Sequence, residues 1–438
     1  MTDPGRRQHV AVTLSGGGHR ASLFGLGAML YLIDAGKGPE LSNVSSVSGG
    51  SLTNGYIGLR TDLTAVSPHE FWDEMRPFAR QVALKGSLFA YPPTYLLLGA
   101  VAIIAGPALL LSLILCPGWL ALLVVVAAAF LCGALAQLRS LIAAKSFDSV
   151  FFRGAPLSDM HDSVTHVVCS TELQTGLSAY FAGSFVYNYE CRWGTPGDLP
   201  LARAVQASAA LPGAFNVVSL PVSRHGFPGT PPISHFKLTD GGVYDNMGTE
   251  WPLRLSDRLK EDGAPADLPG ADEVIVVNAS GGWRGARKQA SVNKPLIGEI
   301  STLMAVKDVM YDQTTSVRRR LLDRLFRVAT EAGGLRGTTV QIDRSPFAVP
   351  NSFNDGDDDL AERARHALEL LRDEDPDAWA EEVTSNAGTK TTLSKIPRDR
   401  AVSLMRHAYL LTAVNCHVLL GYPFDAVPER ARFEQLLT

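Results

Sequence analysis

A serine between small residues is the first candidate for chemistry. The stretch VSSVSGGSLTNG spans Val44–Gly55, and its Ser46-Val47-Ser48-Gly49-Gly50 centre matches the G-x-S-x-G nucleophile elbow, except that serine fills the first glycine position. A sharp strand-to-helix turn through such residues would expose Ser48 for nucleophilic attack on a carbonyl. Taken alone, however, the stretch fits a plain glycine- and serine-rich turn better.

Two further motifs offer an acid and backbone donors. Asp240-Gly241-Gly242 ends an expected strand, where the aspartate could take a proton from a nearby serine hydroxyl. SGGGHRA, Ser15–Ala21, puts three glycines before an expected helix, where unobstructed N–H groups favour negative charge. It lacks the acidic residue of a dinucleotide fingerprint and the lysine of a P-loop, which disfavours a nucleotide partner. An oxyanion hole for acyl transfer is the better interpretation.

A histidine could complete a catalytic triad if it followed the acid in the chain. His366, His407 and His417 follow Asp240, but they lie in helical contexts without loop signals. Histidines in such positions are usually structural. A proton acceptor other than histidine is therefore favoured.

The elements that must position these motifs alternate between strand and helix. HVAVTLS and DEVIVVNAS read as buried strands, and the residues His19–Gly36 as a helix that a glycine ends. Further strands are expected at VTHVVCSTEL, LSAYFAGS and HFKLTDGG, and a helix at LARAVQASAALPGAF. This alternation predicts an α/β sandwich with a largely parallel sheet.

A charge-free insert interrupts this pattern. No Asp, Glu, Lys or Arg occurs between Lys85 and Arg139, and two apolar runs lie there, Tyr95–Cys116 and Trp119–Ala136. About 20 apolar residues cross a hydrocarbon core as a helix, so the insert predicts a two-span membrane hairpin. A buried hairpin in a soluble core is the alternative.

The charges that flank the insert predict its orientation. Positive residues stand on both sides, at Arg76, Arg80, Lys85, Arg139 and Lys145. Both ends are therefore expected in the cytoplasm. The chemistry on the two sides of the insert can then reassemble in that compartment.

Composition excludes several classes of protein. A net charge of -4 over 438 residues and a pI near 6.2 give no reason to expect a nucleic acid partner. The five cysteines are scattered without a C-x-x-C pair, which predicts reduced thiols and neither disulfides nor a zinc site. The N-terminal stretch lacks the apolar core of a secretory signal, so we expect the catalytic part not to be exported.

Four stretches in this order resemble the patatin-like phospholipases, a family of serine acyl hydrolases. They are LSGGGHRASLFGLGAML, SSVSGGSLTNG, AVQASAALPGAF and LTDGGVYDNMG, with a looser fifth in the tail, TKTTLSKIPRDRAVSLMRHAYLLT. The four span about Val10 to Gly248. The resemblance implies the patatin-like fold, a three-layer α/β sandwich with a mostly parallel central sheet.

The resemblance also implies a role for each residue of the motifs. Ser48 would be the nucleophile and Asp240 its general base, in a dyad without histidine. The oxyanion hole would come from Gly16, Gly17 and Gly18, and the supporting residues would be Arg20, Gly50, Gly241 and Gly242. Ser46 and Ala21 depart from the family pattern, since each replaces a glycine.

The expected activity is hydrolysis of lipid acyl esters, of the phospholipase A or lysophospholipase type, without metal or cofactor. Membrane lipids would be both substrate and anchor. Two alternatives remain: a transacylase, and a catalytically inactive lipid-binding or scaffolding protein of the same fold.

The expected organisation has four parts. A first catalytic part (1–85), the hairpin (86–145), a second catalytic part (146–282) and a mainly helical extension (283–438) follow one another. Within the extension, Arg318-Arg319-Arg320 predicts a solvated helix face, with anionic lipid headgroups as the alternative. The acidic run from Asn354 predicts a helix N-terminus and not a calcium loop.

Overall fold

The computed structural model describes residues 8–114, 118–280, 297–332 and 335–438. Residues 115–117 of the expected hairpin, 281–282 of the expected second catalytic part, and 283–296 and 333–334 of the expected extension lie outside the described residues. The strands described there form one sheet. They are β1 Val10–Leu14, β2 Leu41–Ser46, β3 Thr165–Glu172, β4 Leu177–Phe181, β5 Val186–Asn188, β6 Arg192–Gly194, β7 Val218–Pro221, β8 His235–Asp240, β9 Glu273–Asn278 and β10 Arg336–Gln341.

The central part of the sheet is parallel, as the sequence predicts. Strands β10, β9, β1, β2 and β3 are hydrogen-bonded in that order, each parallel to its neighbour. Beyond β3 the sheet becomes antiparallel, where β4, β5 and β6 follow and the β7–β8 hairpin pairs with β3. The strand that ends at Asp240 therefore runs against the parallel set.

Helices cover both faces of the sheet. They are α1 Gly18–Asp34, α2 Gly49–Arg60, α3 Pro68–Arg80, α4 Pro92–Ile114, α5 Gly118–Ala136, α6 Arg139–Phe147, α7 Leu201–Ser208, α8 Gly242–Asp245, α9 Glu250–Arg258, α10 Ile297–Ala332, α11 Ala348–Phe353, α12 Asp359–Leu370, α13 Pro376–Ala387, α14 Arg398–Leu420 and α15 Arg430–Gln435.

Alternate residues of the central strands face two separate cores, because successive side chains of a strand point to opposite faces. In β9, Ile275 and Val277 join the large core that contains α1 and α14, whereas Val274 and Val276 pack with Leu322 of α10. A third cluster, around Trp251 of α9, covers the β3–β6 side of that second face. The result is three layers: helices, sheet, helices.

The apolar insert forms two helices that stand away from the core. Only 6% of the apolar window of each candidate span is buried, and Leu113 and Phe130 are 77% and 78% exposed. The buried-hairpin alternative is therefore wrong. At about 1.5 Å per residue, α4 is roughly 34 Å long and α5 roughly 28 Å, close to the thickness of a hydrocarbon core.

The expected C-terminal extension (283–438) contributes to the sheet and to the large core that contains α1. Strand β10 forms the edge of the sheet beside β9, and α14 packs along α1. The acidic run begins α12 as predicted, because the Asp358 side chain accepts a hydrogen bond from the Ala361 N–H. The cysteines of the described residues are free thiols: Cys132, Cys169, Cys191 and Cys416.

Candidate active site

Ser48 lies at a strained turn between β2 and α2. Its φ of 50° and ψ of -114° are unfavourable for a residue with a side chain, and such strain clusters at functional sites. The turn has room only for glycine at two places. A Cβ at Gly49 would lie 2.0 Å from the Gly18 carbonyl oxygen, and a Cβ at Gly50 would lie 2.4 Å from that of Leu14. The elbow is therefore pressed against the glycine loop that follows β1.

The two departures from the family pattern both fit. The Ser46 hydroxyl donates to the Val167 carbonyl oxygen at 3.0 Å and accepts a bond from the Asn54 amide at 2.9 Å. Its side chain is thus held in the core, beneath the elbow. Ala21 is buried in α1, and its Cβ lies 3.2 Å from where a Cβ on Gly17 would be. Neither residue obstructs Ser48.

Asp240 is the last residue of β8, and only 3% of it is exposed. Its Oδ1 accepts a hydrogen bond from the Gly242 N–H at 2.8 Å, which orients the carboxylate at the start of α8. A Cβ at Gly241 would lie 2.4 Å from the Cys169 carbonyl oxygen, so this turn also needs glycine. The Asp240 turn is consequently packed tightly against β3.

One residue joins the serine turn to the aspartate turn. The Ser208 hydroxyl, at the end of α7, accepts a hydrogen bond from the Ser48 N–H at 2.9 Å. The Ser208 carbonyl oxygen accepts another from the Gly241 N–H at 3.1 Å. The same hydroxyl donates to the Cys169 carbonyl oxygen at 2.6 Å. Ser208 therefore sets the spacing of the two turns, although the motif that contains it gave no sign of this role.

The glycine loop and the aspartate turn also meet at Asn246. Its Oδ1 would be 2.3 Å from a Cβ on Gly16 and 2.5 Å from one on Gly242. Its carbonyl oxygen accepts the Gly16 N–H at 2.9 Å, and its amide donates to the Ser280 hydroxyl at 2.6 Å. The Gly16 N–H is thus already engaged. A Cβ on Gly16 would also lie 3.4 Å from the Ser48 Cβ, so this loop borders Ser48.

The next two glycines present backbone N–H groups at the start of α1. Gly17 and Gly18 have φ values of 141° and 60°, which glycine adopts readily. Within the described residues, no hydrogen bond uses their N–H groups. Gly49, the residue after Ser48, begins α2, where the first N–H groups of a helix have no partner within it. Three backbone donors are therefore placed at two adjoining helix starts.

Arg20 links the glycine loop to the segment before α14. Its guanidinium donates to the carbonyl oxygens of Thr389, at 2.6 Å, and Ala387, at 3.4 Å, in the segment before α14. Burial lowers the pKa of Arg20 to about 10, and the group remains protonated at neutral pH. One of its nitrogens lies 3.1 Å from the position of a Cβ on Gly17. Arg20 thus shapes the loop through backbone contacts with the tail.

The histidines that follow Asp240 are engaged elsewhere. The His407 ring contacts the Arg344 carbonyl oxygen at 2.8 Å, and burial lowers its pKa to about 4. His366 in α12 and His417 in α14 contact each other at 3.0 Å, near the surface. Among the described residues, no three His, Cys, Asp or Glu side chains are grouped as a metal ion would require.

The basic cluster of α10 differs from its expected role as a solvated face. Arg318 turns inward, where its guanidinium lies 2.9 Å from Glu250 and 3.7 Å from the buried Asp245. Its cation also lies over the Tyr244 ring. Only Arg320 of the three is exposed. The expectation is therefore wrong for Arg318, because two carboxylates just after the Asp240 turn form ion pairs with it.

Comparison with known proteins identifies the family of this chain. A family model described as patatin-like phospholipase matches residues 12–251. The solved structures that match include a crystal structure of VipD from Legionella pneumophila, which is 13% identical and has a TM-score of 0.26. That comparison covers 99% of this chain and 90% of the other. No curated protein matches the chain.

Proposed function

Because this chain belongs to the patatin-like phospholipase family, we propose that it is a membrane-associated lipid acyl hydrolase that works through a Ser48–Asp240 dyad. The observation that carries the proposal is the joined pair of turns. Ser48 is held at a strained apex, and Ser208 bonds both to its N–H and to the N–H that follows Asp240. The hydrogen bonds of Ser208 thus link two motifs that lie far apart in the chain.

In the proposed mechanism, the Ser48 Oγ attacks the ester carbonyl carbon while Asp240 accepts the hydroxyl proton of Ser48. The carbonyl π electrons move to oxygen, and the N–H groups of Gly17 and Gly18 stabilise the resulting oxyanion, with that of Gly49 beside them. Gly16 shapes the loop instead, since its N–H is bonded to Asn246. The C–O bond then breaks, and the leaving alcohol or lysolipid takes the proton back from Asp240.

Water completes the cycle. It attacks the acyl-serine carbonyl while Asp240 again accepts the proton, and the fatty acid leaves as Ser48 recovers its hydrogen. A transacylase would differ only in this step, where a second alcohol replaces water. The products therefore decide between the two activities.

We further propose that α4 and α5 span a membrane and hold the catalytic layers on its cytoplasmic side. Their exposed apolar surfaces and the like-signed flanking charges support this. The base of the hairpin also contacts the loop after α7: the Ser140 hydroxyl donates to the Asn216 carbonyl oxygen at 2.7 Å. That loop begins directly after α7, which ends at Ser208. This supports an anchor near the site, which lipid would reach by lateral diffusion.

Lipid mass spectrometry tests this function. Purified wild-type protein would be incubated with vesicles of phosphatidylcholine, phosphatidylethanolamine and phosphatidylglycerol, beside the variants S48A and D240N. We expect free fatty acid and lysolipid with wild type and neither with the variants. Ser403→Ala, a buried serine change in α14, is the matched control and should keep wild-type activity. Equal product from wild type and S48A would contradict the proposal, and no product from folded wild type would favour the inactive lipid-binding alternative.

A further inference from the structure

His19 occupies a position that the proposed mechanism leaves unexplained. It is the second residue of α1, directly after the loop glycines Gly17 and Gly18, and it is fully buried. A buried imidazole needs partners for both of its ring nitrogens. The partners of the two His19 nitrogens, Ser394 and Ser87, both lie far from His19 in the chain.

The two ring nitrogens connect α1 to two different segments. Nδ1 lies 2.7 Å from the Ser394 carbonyl oxygen, so this nitrogen must carry the proton. Nε2 is then the acceptor, and the Ser87 hydroxyl donates to it at 2.9 Å. Burial lowers the pKa of His19 to about 4, which keeps the ring neutral at physiological pH. The hydrogen bonds thus specify one tautomer.

Ser394 belongs to a segment that wraps the glycine loop, which we call the strap (residues 387–396). The Thr392 carbonyl oxygen accepts the His19 N–H at 2.9 Å, and it would lie 2.5 Å from a Cβ on Gly18. Arg20 bonds to the strap as well. The strap is therefore packed closely against the start of α1.

Ser87 lies in the segment between α3 and α4, just before the first helix of the hairpin. Its N–H donates to the Leu393 carbonyl oxygen in the strap at 3.1 Å. Its own carbonyl oxygen accepts the Ser146 hydroxyl at 2.9 Å, on the segment that returns from the hairpin. Both ends of the hairpin therefore meet at the residue that bonds to His19.

We propose that His19 is a positioning residue that couples the hairpin to the oxyanion loop. When α4 and α5 are seated in a bilayer, their bases hold Ser87 in place. Ser87 and the strap together hold His19, and His19 fixes the first turn of α1, on which the Gly17 and Gly18 N–H groups depend. The inference rests on the proposed function and adds to it a physical link between membrane seating and the rate of acyl transfer.

Two single changes test the link at its central bond. His19→Asn keeps a donor near the position of Nδ1 but cannot reach Ser87, and Ser87→Ala removes the hydroxyl from the other side. In full-length protein in phosphatidylcholine–phosphatidylglycerol vesicles, each should lower kcat about tenfold with KM unchanged, because the Gly17 and Gly18 N–H groups are then held less firmly in the transition state. A factor of about ten corresponds to the loss of one hydrogen bond within the protein. The double variant should fall no further, since both changes remove the same bond.

A matched control separates positioning from general destabilisation. His407 is another fully buried histidine with a carbonyl partner, and it lies in α14. His407→Asn should lower the melting temperature. At assay temperatures below the melting temperature of the variant, its kcat should equal that of wild type. If His19→Asn and Ser87→Ala also leave kcat unchanged, His19 is merely structural and the inference is overturned.

The contribution of the membrane is tested with a soluble short-chain ester and a variant whose Tyr95–Ala136 segment is replaced by a Gly/Ser linker. In that variant kcat should already be reduced, and Ser87→Ala should then have no further effect. If Ser87→Ala still lowers kcat tenfold in the linker variant, the effect of the His19–Ser87 bond does not depend on the hairpin, and the proposed coupling is overturned. A wild-type protein that hydrolyses no ester overturns the proposed function itself, a result distinct from both of these.

Discussion

Replacing Ser208 with alanine should loosen the turn at Ser48 relative to the turn at Asp240 without changing either side chain of the proposed dyad. The change removes the acceptor of the Ser48 N–H and the donor to the Cys169 carbonyl oxygen. A buried N–H left without a partner costs about 1–3 kcal/mol. If most of that cost falls on the transition state, kcat should drop about 10- to 100-fold, because about 1.4 kcal/mol corresponds to a factor of ten.

The assay is steady-state hydrolysis of a soluble ester, together with thermal unfolding. Ser208→Ala should lower kcat with little change in KM, since the ester itself does not touch Ser208 in the proposed mechanism. Ser403→Ala again serves as control: its hydroxyl bonds to Glu382 and Asn386 on α13. It should reduce the free energy of unfolding by a comparable amount and leave kcat near wild type.

Two results would refute this reasoning. If Ser208→Ala keeps wild-type kcat, the hydrogen bonds of the Ser208 hydroxyl do not position the turn at Ser48 for the reaction. If Ser403→Ala lowers kcat as much as Ser208→Ala does, loss of stability alone accounts for the effect.

Three further predictions follow from the described contacts. Replacing Tyr95–Ala136 with a Gly/Ser linker should give a folded protein that stays in solution without detergent, because α4 and α5 cover little of the core. Membrane fractionation and circular dichroism check this, and aggregation of the variant would contradict it. Gly241→Ala should abolish hydrolysis, since its Cβ would lie 2.4 Å from the Cys169 carbonyl oxygen, whereas Gly270→Ala, with open space around it, should be silent in the same assay. The unfolded chain protonates His19 near its usual pKa of 6.5, but the fold keeps that pKa at about 4. The free energy of unfolding should therefore fall as pH drops from about 6.5 to 4, by about 1.4 kcal/mol per pH unit for this group, and a flat profile of denaturant midpoints would argue against it.

The local features of the site could be predicted from the sequence. Small residues at Gly49 and Gly50, an acid before two glycines, and three glycines before a helix each restrict the backbone within a few residues. Strands β1 and β9 could be predicted from their apolar runs. Strand β10, RGTTVQ, has no such run, and the sequence pattern does not predict it. The hairpin was visible as a gap in charge.

The residues that assemble the site could not be predicted in this way. Ser208 bonds to Ser48 across 160 positions, and His19 bonds to Ser394 across 375. Nothing in a short window distinguishes such a serine or histidine from one that fills the core. Arg318 was misassigned for the same reason, because its partners Asp245 and Glu250 become its neighbours only when α10 packs on the sheet.

The central claim is that Ser48 is a nucleophile that Asp240 activates, and labelling with a fluorophosphonate tests it most directly. Wild-type protein in vesicles should gain one phosphonyl group, which peptide mass spectrometry should place on Ser48. S48A should remain unlabelled, and D240N should react at least about 100-fold more slowly, since general-base assistance typically contributes about 10²–10⁴-fold. Label on another residue, or equal labelling rates for wild type and D240N, would contradict the claim.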